Sequence, residues 1–403
     1  MTIPVHKSSK IQVIHFSTSH RGGASLAARR LNESLNSMGF ESYFGAISRK
    51  GYSPSTHEFE ISRSALGKII SGIGTQLHLM LSNKVFFSLI SVNALPKKII
   101  THRGNKNNTI LHFHNWFNLT NQKDIIRWAK RGYKVVVTMH DQRMMTGGCH
   151  YAFSCKKFYA KCESCPELPK LLKNFPNLNL ERFADGLNSI TGKITFISPS
   201  NWLDSEARNS YLLHNQNTVF IPNTLGILTD SPREFVRRQA SDLLNIGIAS
   251  MEPNSYIKGG DIISALEKLV KDKGAPIIFH YLKNFPQNNQ GVQDFWSKID
   301  YLLVISRADN SPNVIHEAKQ YGIPIVASKV GGITELLDSN FDVGLDISDC
   351  TESNLFDALR SLIGKDSDSS LRINMQNHYH AYSDSSVADH ISLYENLFAE
   401  SKG

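Results

Sequence analysis

One segment, from Ser306 to Glu335, constrains the fold more than any other part of the chain. Asp309 precedes a predicted helix that carries Glu317, and a short apolar strand over Ile323–Ala327 follows that helix. A Gly331-Gly332 turn then opens another predicted helix. In a parallel α/β sheet, ligands bind beyond the carboxyl ends of the strands, where helix N-termini offer N–H groups to anions. The spacing is typical either of such a binding edge or of an ordinary βαβ unit with capped helices.

The residue types in this segment suit a sugar nucleotide as ligand. The carboxylates of Asp309 and Glu317 can accept hydrogen bonds from hydroxyl groups. The backbone N–H groups of the Gly331-Gly332 turn can hold a diphosphate, because no side chain covers them.

Predicted strands and helices alternate along the whole chain, which is typical of doubly wound parallel sheets. The first series has strands at Ile11–Ser17, Thr109–His114, Lys134–Met139 and Ile194–Ile197, with helices at Ala24–Met38 and Gln122–Arg131. The second series has strands at Thr218–Ile221, Leu244–Ala249, Pro276–Tyr281, Tyr301–Ile305, Ile323–Ala327 and Val343–Ile347, with a helix at Gly260–Lys271. The pattern predicts two Rossmann-like domains, residues 1–220 and 221–380, facing each other across a cleft. A final helix within 381–403 is expected to return to the N-terminal domain.

Charge is distributed unevenly between the two halves. Residues 1–220 contain 28 Lys+Arg and 12 Asp+Glu, a net charge of +16. The rest contains 44 − 28 = 16 basic and 36 − 12 = 24 acidic residues, a net charge of −8. The basic half is expected to meet an anionic partner. A diphosphate or a membrane surface fits better than nucleic acid, because aromatic residues are not interleaved with the basic ones.

The segment Leu66–Ile100 departs from the alternating pattern. It is apolar and weakly periodic, with lysines spaced through it. Such a basic amphipathic pair of helices can lie in the headgroup layer of an anionic membrane; the alternative is a pair of core helices. No apolar run reaches the ~18–20 residues of a membrane span. The N-terminal residues MTIPVHKSSK lack a signal-peptide pattern, so the expected location is cytoplasmic and peripheral on the inner membrane.

Taken together, these motifs resemble the retaining glycosyltransferases of family 4, which have the two-domain GT-B fold. The spacing of Asp309 and Glu317 matches the family's E-x7-E motif, with Asp in the first place. Lys258-Gly259 resembles its KG phosphate site, although the Arg that often precedes this motif is missing. Further matches are Gly22-Gly23-Ala24 as the N-terminal glycine loop, Thr138-Met139-His140-Asp141 at a strand end, Ile221-Pro222-Asn223 between domains, and the run from Gly331-Gly332 to Glu335-Leu336.

A narrower resemblance concerns transferases of bacterial exopolysaccharide and O-antigen (colanic-acid-type) assembly. It rests on His114-Asn115-Trp116, on the run TMHDQRMMTGGCHY, and on the cysteine-rich stretch that ends at Cys165-Pro166. The resemblance implies a nucleotide-sugar donor, a lipid-diphosphate-linked glycan acceptor and no cofactor for catalysis.

The resemblance also implies roles for individual residues. His140, Asp309 and Glu317 would be the catalytic group, with Asp309 near a hydroxyl of the transferred sugar and Glu317 on the nucleotide ribose. The donor would be bound by Lys258, Gly259, Gly331, Gly332 and Glu335, with possible help from Arg307, and the acceptor or phosphate by Gly22, Gly23 and His114. From strand alternation alone, His112 and His114 share one face, where His114 is either a site residue or a structural histidine.

Four cysteines form an insertion within residues 149–166. Cys149, Cys155, Cys162 and Cys165 end in a C-x2-C pair, a spacing that suits the tetrahedral thiolate sites of structural zinc. Unbridged thiols are the main alternative, and disulfides are disfavoured in a cytosolic protein.

The sequence therefore predicts a retaining hexosyltransferase that acts on a lipid-linked oligosaccharide at the inner membrane. Within enzymes, the alternatives are a GT-B sugar-nucleotide epimerase and a soluble glycoside synthase. The non-enzymatic alternative is an anionic-membrane-binding module that has lost catalysis.

Overall fold

The computed structural model describes residues 11–48, 52–62, 87–88, 95–225, 243–250, 255–286, 288–364 and 369–399. Most of the predicted basic segment Leu66–Ile100 lies outside these ranges, as does the stretch that follows Leu225. The chain divides into two compact units, one of residues 1–227 with 385–403 and one of residues 228–384. In the described part, no helix combines the length and apolarity that crossing a bilayer requires.

The first unit is built on a parallel sheet of seven strands in the order β3-β2-β1-β4-β5-β6-β7. Its strands are β1 Gln12–Ser17, β2 Glu41–Ile47, β3 Glu58–Ile61, β4 Thr109–Phe113, β5 Lys134–Thr138, β6 Ile194–Ser198 and β7 Asn217–Phe220. The central strands are apolar and rich in β-branched residues, as expected for strands buried on both faces.

In the described part of the first unit, five α-helices accompany these strands: α1 Gly23–Ser37, α2 Lys97–Arg103, α3 Gln122–Lys130, α4 Phe175–Asn188 and α5 Asn201–Asn209. Side-chain caps begin two of them. Asn121 accepts from the N–H of Asp124 ahead of α3, and Ser200 accepts from the N–H of Leu203 ahead of α5. In α1, Ala27, Leu31 and Leu35 lie on one buried face.

The second unit has a parallel sheet of five strands in the order β12-β11-β10-β8-β9. Its strands are β8 Leu244–Ile248, β9 Ile277–Tyr281, β10 Tyr301–Val304, β11 Ile325–Ser328 and β12 Val343–Leu345. The helices are α6 Gly260–Asp272, α7 Asn289–Lys298, α8 Asn313–Gln320, α9 Ile333–Leu336, α10 Glu352–Arg360 and α11 Ser369–Ala399. A buried ion pair links α8 to the residue before β12, since Lys319 Nζ lies 2.5 Å from Asp342 Oδ2.

Helix α11 begins in the second unit and ends in the first. In the first unit, Val387, Ile391 and Tyr394 pack against Val13 and Ile110 on one face of the seven-stranded sheet. The opposite face is covered by a larger apolar cluster that includes Trp116, Trp128 and Phe183.

The predicted alternation of strands and helices is confirmed, with three corrections. The strand predicted at Thr218–Ile221 does not start the second series, because β7 pairs with β6 in the first sheet. Strands β2 and β3 are absent from the sequence prediction, since Gly45 and the glutamates break their apolar pattern. The helix predicted after Gly331-Gly332 is α9, which is only four residues long.

Candidate functional site

The carboxyl edge of the five-stranded sheet has one topological switch point, between β8 and β10. From β8 the chain crosses to β9 on one side and then returns to β10 on the other, so the loops after β8 and β10 diverge. Ligands bind at such points in open α/β sheets. Lys258 and Gly259 lie on the loop after β8, and Asp309 lies on the loop after β10. The strand order therefore places these three predicted site residues together.

Gly259 allows the two loops to approach closely. Its φ is +70°, and a Cβ added at this position would lie 1.9 Å from the carbonyl oxygen of Ile305. Only glycine fits this combination of left-handed backbone and close contact. Because Gly259 is also the N-cap of α6, the contact fixes the start of that helix against the end of β10.

The side chains of Lys258 and Asp309 form an ion pair at the switch point. Lys258 Nζ donates to Asp309 Oδ2 at 2.5 Å, and the Asn310 N–H donates to Asp309 Oδ1 at 3.0 Å. Ser306 Oγ lies 3.5 Å from the same Oδ2. These donors orient the carboxylate, and Oδ1 keeps lone pairs that can accept a ligand hydroxyl.

The loop after β11 reaches the same place. Gly331 has a φ of +52°, and the N–H of Gly332 donates to the carbonyl oxygen of Asp309 at 3.3 Å. The loops after β8, β10 and β11, three neighbouring strands of the sheet, thus meet around Asp309. Glu317 is half-buried on α8, whereas Glu335 is exposed on α9. With one helical turn, α9 has little dipole to offer an anion.

Arg307 is engaged by the protein itself. It binds both carboxylate oxygens of Asp261, at 2.6 and 2.7 Å, and donates to the carbonyl of Tyr256. These hydrogen bonds lower the pKa of the Asp261 carboxyl group. The guanidinium also lies over the Tyr256 ring, 4.0 Å from its centroid. Arg307 therefore ties the loop after β10 to the first turn of α6.

The seven-stranded sheet has its own switch point, between β1 and β4. Gly22 and Gly23 follow β1 there, and His114 follows β4. Gly22 has a φ of +93° and caps α1, and a Cβ added to it would meet no atom within 4 Å. His140 lies on the adjacent loop, just after β5. The predicted residues of this half therefore gather at one sheet edge.

Histidines form a buried group beside this edge. His15 lies opposite His112 in the β1–β4 register, and the rings of His112 and His114 are 4.1 Å apart between centroids. The prediction that His112 and His114 share a face is confirmed. Burial lowers the pKa of His15 to about 3 and of His140 to about 4, so both rings are neutral at pH 7.

Comparison with known proteins agrees with the geometry of the second unit. Residues 250–365, which contain Lys258, Asp309 and Glu317, match the family described as glycosyl transferases group 1. This part of the chain is a glycosyltransferase group 1 domain.

A putative colanic acid biosynthesis glycosyl transferase, WcaC of Escherichia coli K12, is 24% identical over 265 residues. The match covers 57% of this chain and 62% of the length of WcaC. Sucrose-phosphate synthase from Thermosynechococcus elongatus has a TM-score of 0.63 at 15% identity, covering 96% of this chain and all of that one. Anabaena HepE, solved with UDP-glucose, has a TM-score of 0.51 at 13% identity, covering 95% and 99%. The α/β fold with two parallel sheets is that of GT-B glycosyltransferases.

Outside the glycosyltransferase group 1 domain, a row of three hydrogen-bonded side chains (Ser88, His150 and Asp141) supports the loop after β5. His150 lies 2.6 Å from Asp141 Oδ2 through Nδ1 and 2.5 Å from Ser88 Oγ through Nε2. Serine hydrolases connect Ser, His and Asp in the same way, but Ser88 is only 2% exposed and cannot reach a substrate. We therefore interpret these hydrogen bonds as structural: they hold Asp141 in place, next to His140. The sequence analysis did not identify His15, Ser88 or His150, because their positions near His140 depend on side-chain contacts made only in the folded protein.

The four cysteines lie in the segment between β5 and α4 and form no disulfide. Burial is the main cause that raises the pKa of Cys149, and the other three thiols raise it further. Burial also raises the pKa of Cys162, to about 11, and that of Cys165. Among the described residues, the one group of three or more potential ligands within 4.8 Å of one another is His15, His112 and His114. The cysteine sulfurs are near one another in sequence, but no three of them lie within 4.8 Å of one another.

Proposed function

We propose that the chain is a retaining glycosyltransferase of surface polysaccharide biosynthesis. It would move a hexose from a nucleotide sugar to a lipid-diphosphate-linked oligosaccharide. The observation that carries the proposal is the meeting of Lys258, Asp309 and Gly332 at the switch point of a glycosyltransferase group 1 domain.

The donor half follows from the charges at that switch point. When a nucleoside diphosphate leaves a sugar, negative charge develops on its phosphates, and fixed donors stabilise that charge. Lys258 supplies a compact cation that its pairing with Asp309 already holds in place. Asp309 would accept from a hydroxyl of the transferred sugar through Oδ1, and Glu317 would accept from the ribose. Asp309 touches Lys258 despite being one methylene shorter than Glu, so its length suits this site.

The catalytic contribution of the first unit would come from His140. It is neutral and partly exposed just beyond β5, so it can contact a sugar hydroxyl without carrying charge. We propose that the acceptor attacks from the face that the diphosphate leaves, with a leaving phosphate oxygen taking the acceptor proton. Retention of the anomeric configuration is the measurable consequence.

Two observations support the acceptor class and the membrane. WcaC is named for colanic acid biosynthesis, which favours a surface glycan. The charge of +16 over residues 1–220 favours contact with anionic headgroups or a lipid diphosphate. Co-sedimentation with anionic but not neutral vesicles at low salt tests the membrane contact; equal recovery with both would contradict it.

The experiment is a binding screen of UDP-, GDP-, ADP- and dTDP-sugars by calorimetry, followed by transfer assays with the donor that binds. Replacing Lys258 by Met removes one charge-assisted hydrogen bond, about 1.5–3 kcal/mol, and should weaken nucleotide-sugar binding about 10- to 150-fold. Lys271→Met is the matched control, since Lys271 is an exposed lysine of the same unit.

The proposed donor site would be refuted if no nucleotide sugar bound, or if Lys258→Met and Lys271→Met bound the nucleotide sugar equally well. The Glu317→Ala variant separates the alternatives. A transferase should turn over the donor in the unsubstituted protein and lose nearly all of that turnover in this variant, whereas a membrane-binding module should show no turnover in either. An epimerase would convert the nucleotide sugar with no acceptor present.

A further inference from the structure

Three histidines form a hydrogen-bonded row across neighbouring strands of the first unit. His15 on β1 is 3.0 Å from His114, measured between Nδ1 and Nε2. His114, after β4, is 3.1 Å from His140, measured between Nδ1 and Nε2. His15 and His114 are 0% and 4% exposed, and His140 is partly exposed. The row therefore runs from the interior of the sheet to the sheet edge.

His112 packs beside the row without joining it. Its Nδ1 lies 2.8 Å from the Tyr394 hydroxyl and its Nε2 lies 2.7 Å from Thr138 Oγ1. His390, on α11, gives its Nδ1–H to the carbonyl of Ser386. Both side chains face the row, and both are neutral because burial lowers their pKa. Asp141 is the anionic group next to His140.

Counting protons along the row leaves two arrangements. Each neutral imidazole has one N–H donor and one acceptor nitrogen, so fixing one ring fixes the next. In the first arrangement every proton is on Nδ1, so that His15 donates to His114 and His114 donates to His140. In the second arrangement every proton is on Nε2 and the donors point the other way.

The inner end of the row decides between them. His15 Nε2 is buried and has no hydrogen-bond partner among the described residues. The second arrangement would leave an N–H there with nothing to bind, whereas the first leaves a bare acceptor. Among buried backbone groups, orphaned N–H donors are rarer than under-satisfied carbonyl oxygens, and we apply the same ranking to the ring nitrogens. The first arrangement is therefore the more stable one.

We propose that His15 and His114 are positioning residues that hold His140 as the tautomer with its proton on Nδ1. His140 then offers an N–H donor to a sugar or phosphate oxygen, and cannot act as a base through that nitrogen. The proposal deepens the proposed function, on which the identity of the ligand rests. With this tautomer the row cannot take up a proton from the substrate, because a proton passed inward would place a charge on His15 in the interior.

The test is long-range ¹H–¹⁵N correlation NMR of protein labelled with ¹⁵N-histidine, without substrate. Protonated and bare ring nitrogens differ strongly in shift, and His140→Gln assigns the His140 signals. We expect Nδ1–H on His140 in the unsubstituted protein at pH 7. In His114→Phe, which keeps a ring but removes both nitrogens, His140 should populate both tautomers.

His112→Phe is the matched control, since it removes an equally buried histidine beside the row and should leave the His140 tautomer unchanged. An Nε2–H on His140, or an unchanged tautomer in His114→Phe, overturns the proposal. If His114→Phe does not fold, the unsubstituted protein alone decides. Because no substrate is present, a positive NMR result with an inactive transferase refutes the proposed function and leaves the row intact.

Discussion

Replacing Gly259 by Ala tests whether the approach of two loops builds the proposed donor site. The added Cβ would lie 1.9 Å from the Ile305 carbonyl oxygen, so the backbone must move by roughly 1 Å to reach the 3.0 Å minimum. We expect two costs. The left-handed φ of +70° costs Ala about 1 kcal/mol, and the overpacking costs about 1–3 kcal/mol more.

The chain offers a matched control for the first cost. Gly274 also has a left-handed φ, +61°, but a Cβ added there meets no atom within 4 Å. Gly274→Ala should therefore cost about 1 kcal/mol and no more. The difference between the two variants isolates the clash with Ile305.

Native-state hydrogen exchange of peptides from α6, β8 and β10, read by mass spectrometry, measures both variants locally. A clash of about 1–3 kcal/mol makes exchange in Gly259→Ala about 5- to 150-fold faster than in Gly274→Ala. Nucleotide-sugar binding should weaken only in Gly259→Ala, because Lys258 moves with the backbone. Equal exchange in the two variants would show that the loops tolerate the methyl group and would refute the argument.

Two further predictions concern the first unit. Burial lowers the pKa of His15 to about 3 and of His140 and His390 to about 4. Below about pH 6.5 the unfolded chain therefore binds more protons than the folded one, so the free energy of unfolding should fall as the pH drops from 7 to 5, by about 2 kcal/mol in total for each such group. Urea unfolding should show a weaker pH dependence in His390→Gln but not in the control His57→Gln, at an exposed position; a flat or opposite dependence contradicts this. We also propose that Cys149, Cys155, Cys162 and Cys165 bind one structural zinc, which requires their sulfurs to move closer together than the structure places them. Elemental analysis should find about one equivalent in protein purified without added metal, and in the control Cys350→Ser, but not in Cys162→Ser; less than about half an equivalent would exclude the site.

The sequence was sufficient for the alternating fold and for the meeting of the loops after β8, β10 and β11. Lys258, Asp309 and Gly331-Gly332 follow apolar strands, and parallel strands place their carboxyl ends at one sheet edge. The local sequence pattern is therefore enough to predict that these residues lie at one sheet edge, and the strand order places them there.

What the sequence could not provide depends on contacts between distant residues. His15 is an unremarkable strand residue until β1 pairs with β4 and brings it to His114, 99 positions away. Lys258 pairs with Asp309 across 51 positions, and Arg307, expected as a helper at the diphosphate, pairs instead with Asp261 across 46 positions. Strand β7 was assigned to the wrong series because its pairing with β6 has no local signature.

The path of α11 affects the order in which the protein can fold during synthesis. The second unit, residues 228–384, is continuous in sequence and nested within the first. The first unit begins at the N-terminus, yet part of its core is supplied by Val387, Ile391 and Tyr394. Most of its sheet therefore leaves the ribosome long before these side chains can cover Val13 and Ile110. The nested unit can finish folding first, and His112, beside Thr138, gains the Tyr394 hydroxyl only after residues 228–384 have been synthesised.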